Sequence, residues 1–315
     1  MSALKIDELV DALGDYNREH RDVLISEALL DEDFQNNYEV MDDVTDEVPL
    51  PSLAITDLIK PGNPTAFQPT SNALQFGARI LKVRPIKVDL LLVPQIMEKT
   101  WLGKMKKSSD HGAIPFEQFI MQYISSKIRE NVRLQGIYKG VYNAAGTTPI
   151  DTMTGWLKLI ADDIADVANG QISPVVTGAV TATNIIDSAE AVYDGLGEAY
   201  KNVPTEMKVA PSLFDWYGRR YRSLFNGSPI YTGIKRDRVQ LDGTLCELVR
   251  DPGLAGSQRM ICTPKENLVF GVDSLSDYNL DIQKENRTIK ILIDFKAGVE
   301  FKEVHPRALS VNDQA

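Results

Sequence analysis

Apolar and polar positions alternate most clearly near the end of the chain, within Arg287–Phe301. Isoleucine or phenylalanine occupies every second position from Ile289 to Phe295. A period of two is typical of a β-strand with one buried face. The small pair Ala297-Gly298 then predicts a turn, and the apolar residues after it predict a returning strand. We therefore expect a β-rich C-terminal region that closes with a hairpin.

Helical periodicity dominates the middle of the chain. Pro115 opens a segment in which large apolar residues recur every three or four positions to about Tyr138. Such a helix is unusually long for a compact domain. The stretch Thr148–Asp151 matches a capping box with proline at the first helical position, and it predicts a helix that ends near Gly170. A further helix is predicted from Asn184.

The first third of the chain combines a helical pattern, an acidic stretch and prolines. Apolar residues within 3–30 have helical spacing, so their stripe needs a packing partner. Residues 31–48 are strongly acidic, and we expect them to be poorly structured. Five prolines in 49–72 predict an extended strap. The alternating pattern of 73–97 predicts a β-arm with a bulge or turn at Pro85.

Charge is divided unevenly between the leader and the rest of the chain. The net charge is −10, and residues 1–48 alone hold 15 Asp and Glu against 3 Lys and Arg. An acidic leader repels nucleic acid and favours a basic protein surface. We predict that residues 1–48 dock on a neighbouring copy or an assembly partner. Their deletion is then expected to impair assembly and leave the body folded.

Composition and motifs exclude several classes of protein. Hydrophobic residues make up 43% of the chain, but no apolar run is long enough to cross a bilayer, so no membrane partner is expected. Cys246 and Cys262 lie in strand-like contexts outside any metal-binding spacing, which predicts buried reduced thiols. No phosphate loop, nucleophile elbow or zinc-protease motif occurs. The sequence therefore predicts no cofactor and no enzymatic activity.

The strongest candidates for chemistry are Asp162, Asp163 and Asp166, because all three lie on one predicted helix. Carboxylates in this arrangement can hold magnesium. No base or phosphate cradle accompanies them, so a solvated helix face is the favoured interpretation and a metal-dependent enzyme is a rival hypothesis. The histidines are His20, His111 and His305. None has a patterned partner, and no catalytic residue is predicted.

Two basic clusters are candidate contacts between subunits. They are Lys99, Trp101, Lys104, Lys106 and Lys107 in a loop, and Arg219, Arg220 and Arg222 further on. The loop could bind nucleic acid through its aromatic side chain, form a free loop tip, or dock on the acidic residues 31–48 of another copy. The arginines suit an interface because a guanidinium binds a carboxylate through two hydrogen bonds, although they could equally form a basic helix face.

The order of predicted elements resembles that of the major capsid proteins of tailed bacteriophages, which have the Hong Kong phage-type shell fold. The resemblance covers roughly residues 65–313 and rests on order and spacing. The segments that carry it are Gly155–Asp163, Met207–Leu213 and the closing run Cys246–Leu309, which contains TPKENL. The resemblance implies an α+β fold with an N-terminal arm, an extended β-hairpin loop, a peripheral domain with a long spine helix, and a central axial domain.

The resemblance also implies a domain division and a function. The implied units are an arm and strap at 1–64, the extended loop at 65–112, the spine helix at 113–145, the axial domain at 146–262 and closing peripheral strands at 263–315. Hexamers and pentamers of the chain would form an icosahedral head shell around packaged double-stranded DNA. Portal, scaffold and decoration proteins are the further partners. Assembly would take place in the host bacterial cytoplasm, and the mature protein would reside in the virion.

An encapsulin-type bacterial nanocompartment shell is the alternative with the same fold. Such chains usually lack a long acidic leader and a proline-rich strap, so this alternative ranks second. In both cases the extended limbs cannot bury their apolar residues within one 315-residue globule. Burial is worth about 25 cal/mol per Å², so contacts with neighbouring copies would stabilise the assembly.

Overall fold

The computed structural model describes most of the chain, and every structural statement below concerns those residues. They are 10–11, 13–16, 32–55, 74–93, 116–166, 172–233, 235–273, 279–286, 288–304 and 308–314. The predicted basic loop at 99–107 and all three histidines lie outside these ranges.

Helices and strands are interleaved along the whole chain. The helices are α1 (Glu32–Asn37), α2 (Phe116–Asn131), α3 (Trp156–Ala165), α4 (Ile185–Asp194), α5 (Glu198–Lys201) and α6 (Pro211–Phe225). The strands are β1 (Glu39–Met41), β2 (Glu47–Ile55), β3 (Leu74–Lys82), β4 (Arg84–Leu92), β5 (Thr205–Val209), β6 (Tyr231–Thr232), β7 (Arg238–Gln240), β8 (Cys246–Arg250), β9 (Ile261–Thr263), β10 (Leu268–Asp273), β11 (Asn279–Glu285), β12 (Thr288–Phe301) and β13 (Ser310–Val311).

The first sheet is built around the long strand β12. Its N-terminal half pairs antiparallel with β11 on one side and with β4 on the other. Its C-terminal half pairs antiparallel with β10, which in turn pairs parallel with β1. The isoleucines of the alternating pattern are buried, which confirms the predicted one-sided strand. The strand β12 therefore joins β4 of the β-arm, β10 and β11 in one sheet, to which β10 adds β1 of the N-terminal segment.

The predicted turn at Ala297-Gly298 is wrong, because β12 continues through both residues. Gly298 pairs with Gly271 in the sheet, and a Cβ at position 298 would lie 2.1 Å from the carbonyl oxygen of Lys82. The glycine therefore permits the close crossing of two chain segments. The hairpin lies earlier, where β11 meets β12.

A second antiparallel ribbon is formed by β2 and β3, which pair over nine residues from Glu47 with Lys82 to Ile55 with Leu74. Residues 49–55 are thus extended, as the prolines predict, but they form a paired strand and not an isolated strap. Pro49 and Pro51 fit there because β2 is an edge strand. The predicted break near Pro85 lies at Val83, between β3 and β4.

The long helix continues beyond α2 into a π-helical turn, Val132–Gly136, so the helical path ends close to the predicted Tyr138. Its buried residues join the main core of the protein: Ile120, Met121, Ile124, Ile128 and Val132. A π turn is uncommon and often marks a functional position in a helix. Here it brings the chain to Tyr138, which is fully buried.

The central part of the chain forms a six-stranded sheet in the order β13-β9-β5-β8-β7-β6. All five residues of β5 are buried. Helices α4 and α6 pack against each other beside this sheet. The predicted start of α4 after Asn184 is confirmed, as is the strand–proline–helix order at Met207–Tyr221.

The capping box at Thr148 is also confirmed, although it caps a short 3-10 turn at Pro149–Asp151. The helix that was predicted to follow directly begins at Trp156. Trp156 and Ile160 are fully buried in the main core. Within the described residues, no helix is long and apolar enough to cross a bilayer.

The expectation that residues 31–48 are poorly structured is wrong for the described part of that segment. Helix α1 and strand β1 form there, and Phe34, Tyr38 and Val44 are almost completely buried. These apolar residues are spaced among the acidic ones, so the acidic side chains remain exposed while the apolar side chains pack inward. Leu13 of the leader is likewise buried in the core of its own chain, so this part of the leader has its partner within the same subunit.

Candidate functional site

A buried polar junction joins the N-terminal segment, the long helix and the central sheet. The Tyr38 hydroxyl donates to Asp251 Oδ2 at 2.5 Å, and the Tyr138 hydroxyl donates to the same oxygen at 2.8 Å. The other carboxylate oxygen, Oδ1, accepts from the backbone N–H of Gly253 at 2.9 Å. Burial, together with the negative charge of Asp251, raises the pKa of both tyrosines well above the usual value. Both hydroxyls therefore remain donors.

A second buried cluster lies beside this junction. Lys208 is completely buried and pairs with Glu206 at 2.6 Å, and its ammonium lies 5.4 Å from the centre of the Tyr38 ring. Burial lowers the pKa of Lys208. Burial alone would raise the pKa of Glu206, but Lys208 and Arg238 outweigh it and hold that pKa below its usual value. Lys208 also donates to Asn37 Oδ1 at 3.1 Å, so the cluster holds α1 against the central sheet.

The β2–β3 ribbon is held to the body by one arginine. Arg79 of β3 forms ion pairs with Asp163 of α3 and with Glu300 of β12, each at 2.9 Å. Burial raises the pKa of both carboxyl groups, and Arg79 offsets part of that increase. This three-residue cluster fixes the base of the ribbon.

The aspartates predicted as candidate metal ligands point to different partners. Asp163 binds Arg79, whereas Asp162 binds Lys158 one helical turn away on α3. Asp166 follows the end of α3. Across the described residues, no group of three His, Cys, Asp or Glu side chains is placed to hold a metal ion. The geometry gives the rival hypothesis of a metal-dependent enzyme no support.

Both cysteines are buried and free, which confirms that prediction. Their sulfur atoms are 3.8 Å apart. Cys246 and Cys262 lie on the two strands that flank β5, and each is a free thiol.

An open groove of about 940 Å³ lies between α2, β4 and the loop around Tyr142–Thr152. Asp151 lines it and accepts hydrogen bonds from the backbone and hydroxyl of Thr148, which lower the pKa of its carboxyl. That carboxylate is therefore engaged in the local turn. The Thr148 hydroxyl and the Asp151 carboxylate that it contacts both belong to the capping box of the Pro149–Asp151 turn, so a structural role accounts for the pair.

The predicted arginines lie on the C-terminal half of α6, which leads into an exposed surface. Arg219 and Arg222 are exposed, and Arg220 is partly buried. Along the same helix Tyr217, Tyr221 and Phe225 follow one another at four-residue steps, with ring centroids 6.2 and 4.8 Å apart. The chain then returns so that Tyr231 crosses over α6 and contacts Phe214. We call this region, residues 219–233 with 235 and 236, the α6–β6 surface.

A contrasting surface runs along α4 and α5. Its members are the four exposed carboxylates Asp187, Glu190, Asp194 and Glu198. Their spacing places them along the outer side of α4, since the residues between them are buried or partly buried, and on into α5. Asp194 and Glu198 pair with Lys201, whereas Asp187 and Glu190 form no ion pair with a described residue. We call these residues the α4–α5 acidic stripe.

The sequence did not predict the Tyr38–Tyr138–Asp251 junction, the Arg79 ion-pair cluster or the α4–α5 acidic stripe. Tyr38, Tyr138 and Asp251 are far apart in sequence, and a single tyrosine or aspartate carries no sign that it will be buried. Arg79 likewise reads as an ordinary polar position of a strand. The stripe, in contrast, was visible as four acidic residues without a basic one between Asn184 and Tyr200.

Comparison with known proteins identifies the fold. No protein-family model matches the chain, and no curated protein matches it in sequence. Solved structures do match. The satellite phage P4 procapsid that includes the size determination (Sid) protein aligns with a TM-score of 0.56 and 12% identity, covering 93% of this chain and 98% of that one. The capsid of the native GTA particle aligns with a TM-score of 0.54 and 10% identity, covering 91% and 89%.

The chain therefore has an α+β fold that is built around a long helix, an extended β-ribbon and a central sheet with flanking helices. More specifically, this is the phage capsid-type shell fold, as the resemblance implied. The SrpI encapsulin of Synechococcus elongatus PCC 7942 has it too, with a TM-score of 0.50, 11% identity and coverage of 89% and 85%.

Proposed function

We propose that this chain is a major capsid protein of a tailed bacteriophage. Its copies assemble into hexamers and pentamers of an icosahedral head shell that encloses double-stranded DNA. The observation that carries the proposal is the alignment with a phage procapsid chain over 93% of this chain and 98% of that one. The alignment extends over nearly the whole length of both chains, which supports a role as the shell subunit itself.

The distribution of apolar surface supports a role in assembly. Large apolar side chains are exposed on the β-ribbon, on α2 and on the α6–β6 surface, for instance Ile80, Tyr123 and Phe225. Exposed apolar residues in several extended regions favour contacts with other proteins. The Asp251 junction and the Lys208 and Arg79 clusters join different elements of the subunit through ion pairs and hydrogen bonds. A structural, non-enzymatic role fits these contacts.

The remaining parts of the proposal follow from the same fold. We propose that residues 1–64 form the arm and strap, 65–112 the extended loop, 113–145 the spine helix, 146–262 the axial domain and 263–315 the closing strands. The partners are further copies of the chain, portal, scaffold and decoration proteins, and packaged DNA. The lysine loop at 99–107 is proposed as a contact between subunits. The protein would assemble in the bacterial cytoplasm and reside in the virion.

An encapsulin-type nanocompartment shell remains the second candidate, because an encapsulin has the same fold over most of both chains. The two candidates differ in what the particle contains. Particles that hold this protein should be purified from the cells that produce it naturally and treated with nuclease. Protected double-stranded DNA of genome length supports the phage shell, and an enclosed enzyme without such DNA supports the nanocompartment. Recovery of the chain only outside particles contradicts both.

A further inference from the structure

The α6–β6 surface combines exposed apolar side chains with an excess of positive charge, and Asp242, which accepts a hydrogen bond from Tyr221, lies against it. Leu224, Phe225 and Ile230 are 48%, 59% and 61% exposed. Residues 219–236 contain five Arg and Lys and no Asp or Glu. Such a patch costs free energy in water and needs a partner that is both apolar and acidic.

The α4–α5 acidic stripe offers that chemistry on the same chain. Three of its carboxylates are exposed on α4 and the fourth, Glu198, on α5. Two of them, Asp187 and Glu190, have no cationic partner among the described residues. The partly buried Ala191 and Tyr193 lie between the carboxylates and add apolar contact area.

We propose that the α6–β6 surface of one copy docks on the α4–α5 acidic stripe of the next copy. This inference rests on the proposed function and assigns the contact between shell subunits. Two α6–β6 surfaces repel each other because both are basic, so the contact joins two different patches. Contacts of this heterologous kind, repeated from copy to copy, close into rings when the rotation permits.

A nucleic-acid partner is the other occupant that positive charge would suit. Phosphates require cations but do not bury leucine, phenylalanine and isoleucine side chains. The three exposed apolar residues therefore favour a protein surface. The charge-reversal experiment below distinguishes the two occupants. An α6–β6 surface made acidic can still pair with an α4–α5 stripe made basic, but it cannot bind phosphate.

The experiment compares the full chain with three charge-reversal variants: Arg219→Glu with Arg222→Glu, Asp187→Lys with Glu190→Lys, and all four changes together. Assembly is followed by sedimentation velocity and electron microscopy at physiological ionic strength. Each double reversal should raise the concentration needed for assembly by about tenfold or more. The fourfold variant should return to within about threefold of the native chain, because the swapped charges again attract.

A control reverses an exposed lysine elsewhere, Lys302→Glu, and it should assemble like the native chain. Thermal unfolding of each variant shows whether its subunit is folded. Native assembly by Arg219→Glu with Arg222→Glu, or no recovery in the folded fourfold variant, would overturn the inference and leave the shell function intact.

A second measurement does not depend on particle formation. Arg222→Lys keeps the charge and allows a zero-length carbodiimide to couple residue 222 to a carboxylate. In an equal mixture of ¹⁵N-labelled and unlabelled chains, mass spectrometry should find coupling between chains to Asp187, Glu190 or Asp194. Such links without closed particles would support the contact and contradict the shell. Coupling only to the N-terminal acidic residues would instead assign that segment as the partner and overturn the inference.

Discussion

At the scale of single residues, Asp251 is the polar contact on which three parts of the molecule converge. Two tyrosine hydroxyls from Tyr38 and Tyr138 and one backbone N–H bind the same buried carboxylate. A buried carboxylate is stable only when its oxygens are hydrogen-bonded. The junction thus makes the N-terminal segment part of the body and not a free limb.

Tyr138→Phe tests this junction. The change removes one donor from a buried carboxylate, so we expect the free energy of unfolding to fall by about 1–2 kcal/mol. Urea unfolding of the unassembled subunit measures it. The control is Tyr123→Phe at an exposed position of α2, which should change stability by less than about 0.5 kcal/mol. Equal effects of the two substitutions would contradict the assigned role of the junction.

Gly298→Ala tests the crossing of β12 with the segment between β3 and β4. A Cβ at this position would meet the Lys82 carbonyl oxygen at 2.1 Å, and backbone cannot move aside cheaply. We expect a loss of about 2 kcal/mol or more in unfolding free energy. Gly227→Ala is the control, since its nearest neighbour would be 3.8 Å away. If Gly298→Ala leaves the midpoint of urea unfolding unchanged, the two segments do not cross so closely.

At the scale of elements, Arg79 determines whether the β-ribbon is held to the body. The carboxyls of Asp163 and Glu300 have raised pKa values despite this cation, and without it they would rise further. A carboxyl whose pKa is higher in the folded state destabilises the fold as pH rises through that pKa.

Arg79→Met should therefore cost more stability at pH 7 than at pH 4. At pH 7 two partly buried carboxylates lose their cation, at a cost of about 2 kcal/mol. The cost falls at lower pH, because protonation of these carboxyls removes the negative charge that Arg79 offsets. Unfolding curves at both pH values measure the difference, and amide exchange in β2 and β3 should accelerate. Lys127→Met, which removes an exposed pair with Glu130, should give a small change without pH dependence. A pH-independent loss in Arg79→Met would contradict the assignment.

The helix α1 and strand β1 pack into the subunit core and its first sheet. We therefore now expect this segment to be needed for folding, whereas the sequence predicted that residues 1–48 can be deleted without unfolding the body. Phe34→Ala should cost about 3–5 kcal/mol, because a fully buried ring that packs on Phe270 is removed. Leu91→Ala at an exposed position should cost far less. Circular dichroism during thermal unfolding tests both, and a chain beginning at residue 49 should fail to fold. A cooperative native transition in that truncated chain would refute this role.

Elements with strong periodicity were predictable from sequence, and elements that depend on distant contacts were not. The long helix, α4, α6 and the alternating half of β12 follow from apolar spacing and proline positions. The turn wrongly assigned to Ala297-Gly298 has a local turn signature, but its glycine is required by a chain segment more than 200 residues away. The sequence of residues 31–48 predicts no regular structure because acidic residues outnumber apolar ones. Nevertheless, Phe34 packs against Phe270 of β10, and β1 pairs with β10.

At the scale of the whole molecule, the proposed assembly depends on surfaces that a single copy leaves exposed. The β-ribbon, Tyr123 of α2 and the α6–β6 surface all present large apolar side chains to solvent. Within the described residues, Phe34 of α1 and Leu13 nevertheless pack into the core of their own chain. Assembly should therefore join folded subunits and not complete unfolded ones, so the lone subunit is expected to be soluble and folded before it associates.

The most direct test is electron microscopy of the purified full-length chain, combined with sedimentation velocity over a range of concentrations. The account predicts closed shells or rings of five and six copies, which appear as concentration rises and as salt is adjusted. A 35.0 kDa monomer that persists at every concentration and ionic strength, with or without a scaffold protein from the same source, would contradict it.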